Sequence, residues 1–593
     1  MTTLLSILLS VLVWTVTLPS EMSGHPRLLM SGEDFENLSA ALEDGSNEQL
    51  NRLHTLIMRR ADADPGTHVE RYFDESGRRI LHRSREAISR VLAGAYAYRV
   101  TGRKVYLDTV EGIINDVCGF EDWNPSHFLD VAEMCTAVGF GYDWLYDDLS
   151  EETKAKAVEA VRRLAFEPSL DHDRAWFYES FHNWNQVCNG GLTIAALAMR
   201  EECDTTADRI ITDAVLTNAL AAEAIYSPDG NYAEGPTYWL FGTMYQALLD
   251  GCLQSALGTD FGLSDIPGFS STADFMLYCY GANGEMFDYY DNSPRRMAAY
   301  PLWYFAWRFD RPDLLAFENE MMWEEGYDNN ESDRFLPLLA CWASKMPKAS
   351  SEPSRGHLYV GGGATPVVIA RGDWSGGPGD WYLGVKGGSP STNHAHIDGG
   401  SFVFDSEGVR WAADPGKIEY APVEARLALT GGDFWDLSQD SQRWDVFGMD
   451  NRWHNTITVD GLRHNVKGCA PVLEVIDDDG CKGAVVDLTE LLSLDGAVRT
   501  ATTDGHSLYI KDVLTSDCGA SIRWTLVTEA SAQIIDGGVK LSLDGKTRIL
   551  SCSAPGCSYS LRASQEASER GLDLIDLDFT LLPGTTEIYT SVQ

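Results

Sequence analysis

Between about residues 30 and 345, apolar positions recur at helical spacing. In DWLYDDLSEETKAKAVEAVRRLAF the residues Ala157, Val158, Val161 and Leu164 share one side of a helical projection. Ser150 stands before them as an N-cap, and Glu151 and Glu152 fall in the first turn, where the helix dipole favours carboxylates. The runs AISRVLAGAYAYRV, GGLTIAALAMR and TMYQALLDGCLQSAL repeat the pattern, each followed by a polar or glycine-containing break. Successive amphipathic helices on short links predict paired helices stacked into a solenoid or ring.

The pattern changes near residues 345 to 363, where KMPKASSEPSRG and VGGG read as a linker. Beyond it come short alternating or β-branched runs, among them TPVVIARG, SFVFDSEGVRWAADPG, NTITVDG and SIRWTLVTEA, separated by Gly, Asp and Asn turns. The C-terminal half is therefore expected to be all-β, built of stacked antiparallel sheets.

Chemistry concentrates first in NHAHIDGGSF, residues 393 to 402, because the chain has only 13 histidines and two of them stand here. In a strand, positions two apart share a face, so His394, His396 and Asp398 would project together. The following SFVFDSEGVRWAAD reads as a hairpin turning at DSEG, whose return strand brings Asp414 back near its start. His454, in RWHNTITVDG, precedes another strand. Two imidazoles and a carboxylate drawn from His396, Asp414 and His454 form a reasonable ligand set for a zinc-like metal.

The helical half holds three polar clusters. FHNWNQVCNGG places His182, Asn183, Trp184 and Asn185 just before an apolar helix. SPDGNYAEGPTYW carries Asp229, Tyr232, Glu234 and Tyr238 in a glycine-rich segment, and FDYYDNSPRRM carries Asp291, Asn292, Arg295 and Arg296. Each alone could be a helix junction capped by Asn and Asp. Their combination in one chain favours a site.

The pattern R-x-x-W (371–374), then NHAHIDGGSFVFDSEGVRWAADPG and HNTITVDG, resembles the signature of the heparinase II/III-like polysaccharide lyases, and HNWNQVCNGG and DGNYAEGPTYW resemble that superfamily's toroid motifs. The resemblance spans about residues 180 to 460. It implies an α+β multidomain chain, an incomplete (α/α) toroid over 21–345 and an antiparallel multi-sheet β-sandwich domain over 346–593, behind a signal peptide over 1–20 that the apolar N-terminal run suggests. It implies β-elimination, in which the C5 proton of a uronic acid is removed and the C4–O bond breaks. A C5 proton beside an ionised carboxylate is very weakly acidic, so that charge must be offset. Asn183 and Asn185, with His182, suit this role. By similarity Tyr238 is the phenol that protonates the leaving oxygen and, for some stereochemistries, also takes the C5 proton; His394 is the second acid/base group. The resemblance also implies a structural divalent metal, Zn2+, on His396, Asp414 and His454, and it moves Asp398 to a supporting role. Some members use a second tyrosine shortly after the hairpin aspartate, where Lys417 and Tyr420 stand here.

Bulk properties narrow the partners. With 46 basic and 88 acidic residues the formal charge is −42, and the basic footprint that nucleic acid requires is not visible. The 17 Trp and 24 Tyr suit a glycan cleft, with Trp184 and Trp239 as stacking surfaces and Arg295, Arg296 and Arg452 as uronate binders. Few arginines for sulfate favour alginate, an algal uronan or an undersulfated glycosaminoglycan. The uncharged apolar run Leu4 to Leu18 reads as a secretion signal, giving a secreted or periplasmic protein without a stable membrane partner; a homodimer is left open. The twelve cysteines show no CxxC or zinc-ribbon spacing, and only Cys552 and Cys557 lie close together. The same residues would also serve a uronate C5-epimerase, and a non-catalytic glycan-binding protein is the third reading.

Overall fold

The computed structural model describes residues 16–171, 173–346, 356–377, 379–478 and 480–593. Most of the apolar Leu4–Leu18 run and residues 347–355 of the expected linker lie outside them. The described chain is an incomplete (α/α) toroid followed by an antiparallel multi-sheet β domain. Two compact units divide it. One comprises residues up to 224 with 241–270 and 299–352; the other holds 225–240, 271–298 and 353–593. No helix among the described residues is long and apolar enough to cross a membrane.

The helical unit starts as its pattern predicts. Ser150 caps the helix Glu151–Val161, its Oγ accepting from the Thr153 N–H at 3.2 Å. The NGG of HNWNQVCNGG has a packing reason: a Cβ on Gly191 would lie 2.2 Å from the Ala132 carbonyl oxygen, and one on Gly190 would lie 2.9 Å from that of Tyr245. Helix Asn183–Ala198 thus presses directly on the wholly buried helix Phe128–Trp144. A side chain at either glycine would force the helices apart.

In the second unit, strands β1 (Leu358–Gly361), β2 (Val367–Arg371), β3 (Trp381–Lys386), β4 (Phe402–Ser406) and β5 (Val409–Ala412) form one antiparallel sheet in chain order. The expected β4–β5 hairpin is present. Its central residues Glu407 and Gly408 have φ of +57° and +75°, the left-handed pair that a tight two-residue turn demands. Strand β6 (Ile457–Val459) edges a four-stranded sheet beside Ala520–Thr528, and an eight-stranded sheet runs from Ser531–Ile535 to Val472–Asp478. Phe402, Phe404, Trp411, Ile457, Ile522 and Trp524 join the core between these sheets.

NHAHIDGG, however, is not a strand. Residues 391–400 form turns and irregular backbone, and β4 begins only at Phe402. The shared-face geometry expected for His394, His396 and Asp398 is therefore replaced by a looped one.

Seven of the twelve cysteines are buried and none is oxidised. A hydrogen bond from Cys557 pulls the Cys552 thiol down to about 7 against its burial. Iodoacetamide should accordingly label Cys552 with a rate rising through pH 7. A profile rising only near the ordinary thiol value of about 8.5 would contradict this pairing.

Candidate active site and metal centre

The β unit contributes its own stretch of helix. Pro236 opens helix Pro236–Leu257 after Gly235, whose φ is +85° and where a Cβ would strike the Asn292 amide at 2.2 Å. Asn292 Oδ1 accepts from the Thr237 N–H at 2.6 Å and its Nδ2 donates to the Glu234 carbonyl at 3.0 Å. This amide clamp fixes the turn that carries Tyr238.

Tyr238 Oη lies 2.5 Å from Tyr420 Oη, and Tyr420 Oη lies 3.1 Å from His394 Nδ1. The rings of Tyr238 and His394 stack at 3.6 Å and 14°. Trp435 stands edge-on to His394 at 5.3 Å. Burial and the nearby Asp291 charge push the Tyr238 and Tyr420 phenols well above 10, so both carry their protons at neutral pH.

His394 is the bent point of this chain. Its backbone is left-handed, with φ of +61°, a conformation costing an L side chain about 1 to 2 kcal/mol. The His394 carbonyl accepts from the Asp291 N–H at 3.3 Å, and its Nδ1 meets Asp291 Oδ2 at 3.2 Å. Its Nε2 lies on the other side of the ring, 3.7 Å from Glu234 Oε1, which accepts from Asn393 Nδ2 at 2.7 Å.

Asp291 is the hub. Its second oxygen faces His396 Nε2 at 3.0 Å, and Arg443 Nη2 approaches at 3.5 Å. Burial alone would raise its carboxyl, but hydrogen bonds from His394 and His396, reinforced by the Arg443 charge, hold it well below the usual carboxylate range. Arg443 is wholly buried, donates to the Ala395 and Phe434 carbonyls at 3.0 and 3.1 Å and stacks on Phe434.

One ligand atom each from His396, Asp414 and His454 lies within 4.8 Å of the others, all three residues being buried. His454 Nδ1 meets Asp414 Oδ2 at 3.0 Å while its Nε2 donates to the Gly448 carbonyl at 2.7 Å. His396 Nε2 is engaged by Asp291, and its Nδ1 is buried with no hydrogen-bond partner among the described residues. That orphaned atom is the one His396 has left to offer the cluster. The donor set fits a zinc-type ion, and each histidine has its outer nitrogen pinned by an acceptor, as metal-ligating imidazoles require. Asp398 pairs instead with Lys386 Nζ at 2.6 Å.

The other expected site residues fall as follows. In the helical unit Asn185 is fully buried, its amide donating to the Phe177 and Tyr178 carbonyls and accepting from Asn189 and Asn218. Its hydrogen-bonding capacity is used inside the unit. Asn183 is buried in the first turn of its helix, and His182 is the N-cap. Trp184 is half-buried and packs against the exposed Trp176, which stands outside the sequence motifs. In the β unit Trp239 is fully buried, its Nε1 donating to Thr272 Oγ1, so this ring is enclosed rather than presented to a sugar. Arg295 is exposed, Arg296 lies over the Tyr280 ring, and Arg452 is paired with Asp450.

Arg443, in QRWD, lies outside every motif of the sequence; Asp291 stands in one of its polar clusters, and Tyr420, which begins the short helix Tyr420–Ala428, stands where some members of the resembled superfamily have a second tyrosine.

A helical toroid with a β unit carrying a phenol–imidazole–carboxylate chain and a buried His-Asp-His cluster defines a class of fold and site. Residues 367–571 match the family model described as heparinase II/III-like, C-terminal. The structure is similar to that of heparinase III (TM-score 0.57, 12% identity, 94% of this chain and 91% of that one). It is also similar to the heparan sulfate lyase HepC from Pedobacter heparinus (TM-score 0.55, 12% identity, 95% and 92%). At such identity these likenesses establish the fold. No curated protein matches the sequence.

Proposed function

We propose that the protein is a polysaccharide lyase that cleaves a uronate-containing glycan by β-elimination. The observation that carries this reading is the unbroken contact chain Tyr238–Tyr420–His394–Asp291. Elimination needs a base for the C5 proton and an acid for the departing O4. With Asp291 on Nδ1, His394 can present an unprotonated Nε2 to the C5 proton. Tyr238, held protonated, donates to O4 as the C4–O bond breaks, and the C5–H electron pair becomes the C4–C5 double bond. Tyr420, in contact with both groups, can return a proton to Tyr238. Trp184 with Trp176 offers a sugar-stacking surface. The matched domain family and the fold shared with heparinase III and a heparan sulfate lyase support the reading, and a polysaccharide outside the cell is the substrate it implies.

His396, Asp414 and His454 would hold a divalent metal, which there supplies a fixed positive charge that organises the loop. His396 then keeps Asp291 in place through its outer nitrogen.

A panel of uronate glycans tests the assignment. Ultraviolet absorbance from a C4–C5 unsaturated product is expected on at least one of them. A changed uronate configuration without absorbance would make the protein an epimerase, and no change in any glycan would leave only a binding role.

A further inference from the structure

The helical unit contains a cavity of about 380 Å³, a volume in the range of small-ligand sites of about 300–1,000 Å³. Its wall includes Arg60, Arg85, Arg334, His82, Asn329 and Asn330. Three segments build it. His82 and Arg85 lie, with Glu86 and Ser89, on one face of helix Leu81–Thr101 at positions i, i+3, i+4 and i+7. Arg60 comes from the end of helix Glu48–Ala63, and the asparagines and Arg334 from Tyr327–Ser332 and the residues after it.

The charge arithmetic around this cavity is unlike that of the chain. Arg85 Nε and Arg334 Nε both lie 2.8 Å from the carboxylate of Glu133, which is fully buried. One carboxylate therefore serves two guanidinium groups. Arg60 meets only one oxygen of Asp64, at 3.4 Å, a carboxylate that Arg90 also approaches at 3.6 Å. Arg60 Nε is buried with no hydrogen-bond partner among the described residues. Arg83 and Arg90 both pair with Glu86. Five guanidinium groups thus face the carboxylates of Asp64, Glu86, Glu133 and Asp333, and burial raises the carboxyls of Asp64 and Asp333. In a protein of formal charge −42, a concave site with surplus arginine and two amides is a local exception. Guanidinium groups on low-dielectric walls concentrate oxyanions and bind them through paired N–H donors.

We propose that this cavity is an acidic-sugar subsite that receives one oxyanion, a uronate carboxylate or a sulfate ester, between Arg60, Arg85 and Arg334. It rests on the glycan-lyase reading and adds to it a recognition site for the charge of the substrate.

The test is isothermal titration of the Tyr238→Phe protein, so that the probes survive, with and without Arg60→Ala or Arg85→Gln. The probes are an unsulfated uronate hexasaccharide, its carboxyl-reduced counterpart and a sulfated hexasaccharide. Losing a charge-assisted contact should weaken the acidic probes about tenfold and spare the carboxyl-reduced one, with Arg60→Lys recovering part of the loss. Loss confined to the sulfated probe identifies a sulfate site; loss for both acidic probes identifies a carboxylate site. Unchanged affinities in variants that melt like the parent overturn the proposal, and if the wild-type protein still cleaves glycans the lyase reading survives alone. Arginine-dependent binding with no cleavage of any glycan by wild type would keep the subsite and remove the lyase. Absence of binding to every probe overturns the subsite.

Discussion

Replacing Tyr238 by Phe should lower kcat on the preferred glycan by roughly a thousandfold, the scale of a lost general acid. The substitution removes one hydroxyl and keeps the ring stacked on His394 at 3.6 Å, so KM and the melting temperature should stay near the wild-type values. Tyr420→Phe should cost less, roughly ten- to a hundredfold. Tyr420 contacts His394 and Tyr238 but is the middle of the chain rather than its acid end. A double variant should be little worse than Tyr238→Phe alone, because groups acting as a unit are not additive. Equal losses in KM and kcat, or a Tyr238→Phe enzyme of normal turnover, would show that the phenol binds rather than reacts.

The second large effect is expected at Asp291. Its two oxygens face His394 Nδ1 and His396 Nε2, and it is the carboxylate nearest the buried Arg443. Asp291→Asn leaves that guanidinium without its counter-charge and substitutes an N–H for one of two acceptor oxygens. Breaking a buried pair from one side costs roughly 3–5 kcal/mol, and a lowered melting temperature should follow. A structural role alone would end there. Because the same carboxylate orients both imidazoles, the variant should also lose bound metal and kcat together, by about 10- to 100-fold in metal affinity. His396→Ala, which removes a ligand but leaves the Asp291–His394 contact, should lose metal and retain more of kcat. Full metal content in folded Asp291→Asn protein would separate the two histidines and refute the shared hub.

Much of this was legible in the sequence, for identifiable reasons. Helical periodicity and the change to short β-branched runs after residue 345 reflect burial on one face, which a local pattern records. The DSEG hairpin declared itself through turn chemistry, and Asp414 beyond its return strand lies beside His396 and His454. The histidine motif takes a geometry other than the strand expected of it. A strand would have aligned His394 and His396, whereas the left-handed backbone at His394 sends one imidazole toward the tyrosines and leaves the other facing Asp414 and His454. Such a conformation is held by tertiary contacts, here from Asp291, and leaves no local signature. Asp291 is legible as a member of a polar cluster but not as the hub, because Asn/Asp-rich junctions are usually caps, and Arg443 is opaque because a buried arginine looks like any other in a sequence. The double tyrosine and DN in FDYYDNSP were the available hint of a buried acid. Trp239 misled for the opposite reason: its position beside Tyr238 suggested a sugar platform, and the fold used the ring for packing.

Elimination driven by Tyr238 and His394 is tested most directly by product mass. Wild-type protein, metal-loaded, should be incubated with each of a set of uronate polysaccharides and the oligosaccharides weighed beside those from Tyr238→Phe. Elimination predicts fragments whose masses sum to that of the parent with no water gained, an unsaturated uronate at the new non-reducing end, and almost no product from the variant. Fragments that together carry one added water per cleavage, or equal product from the variant, would contradict it.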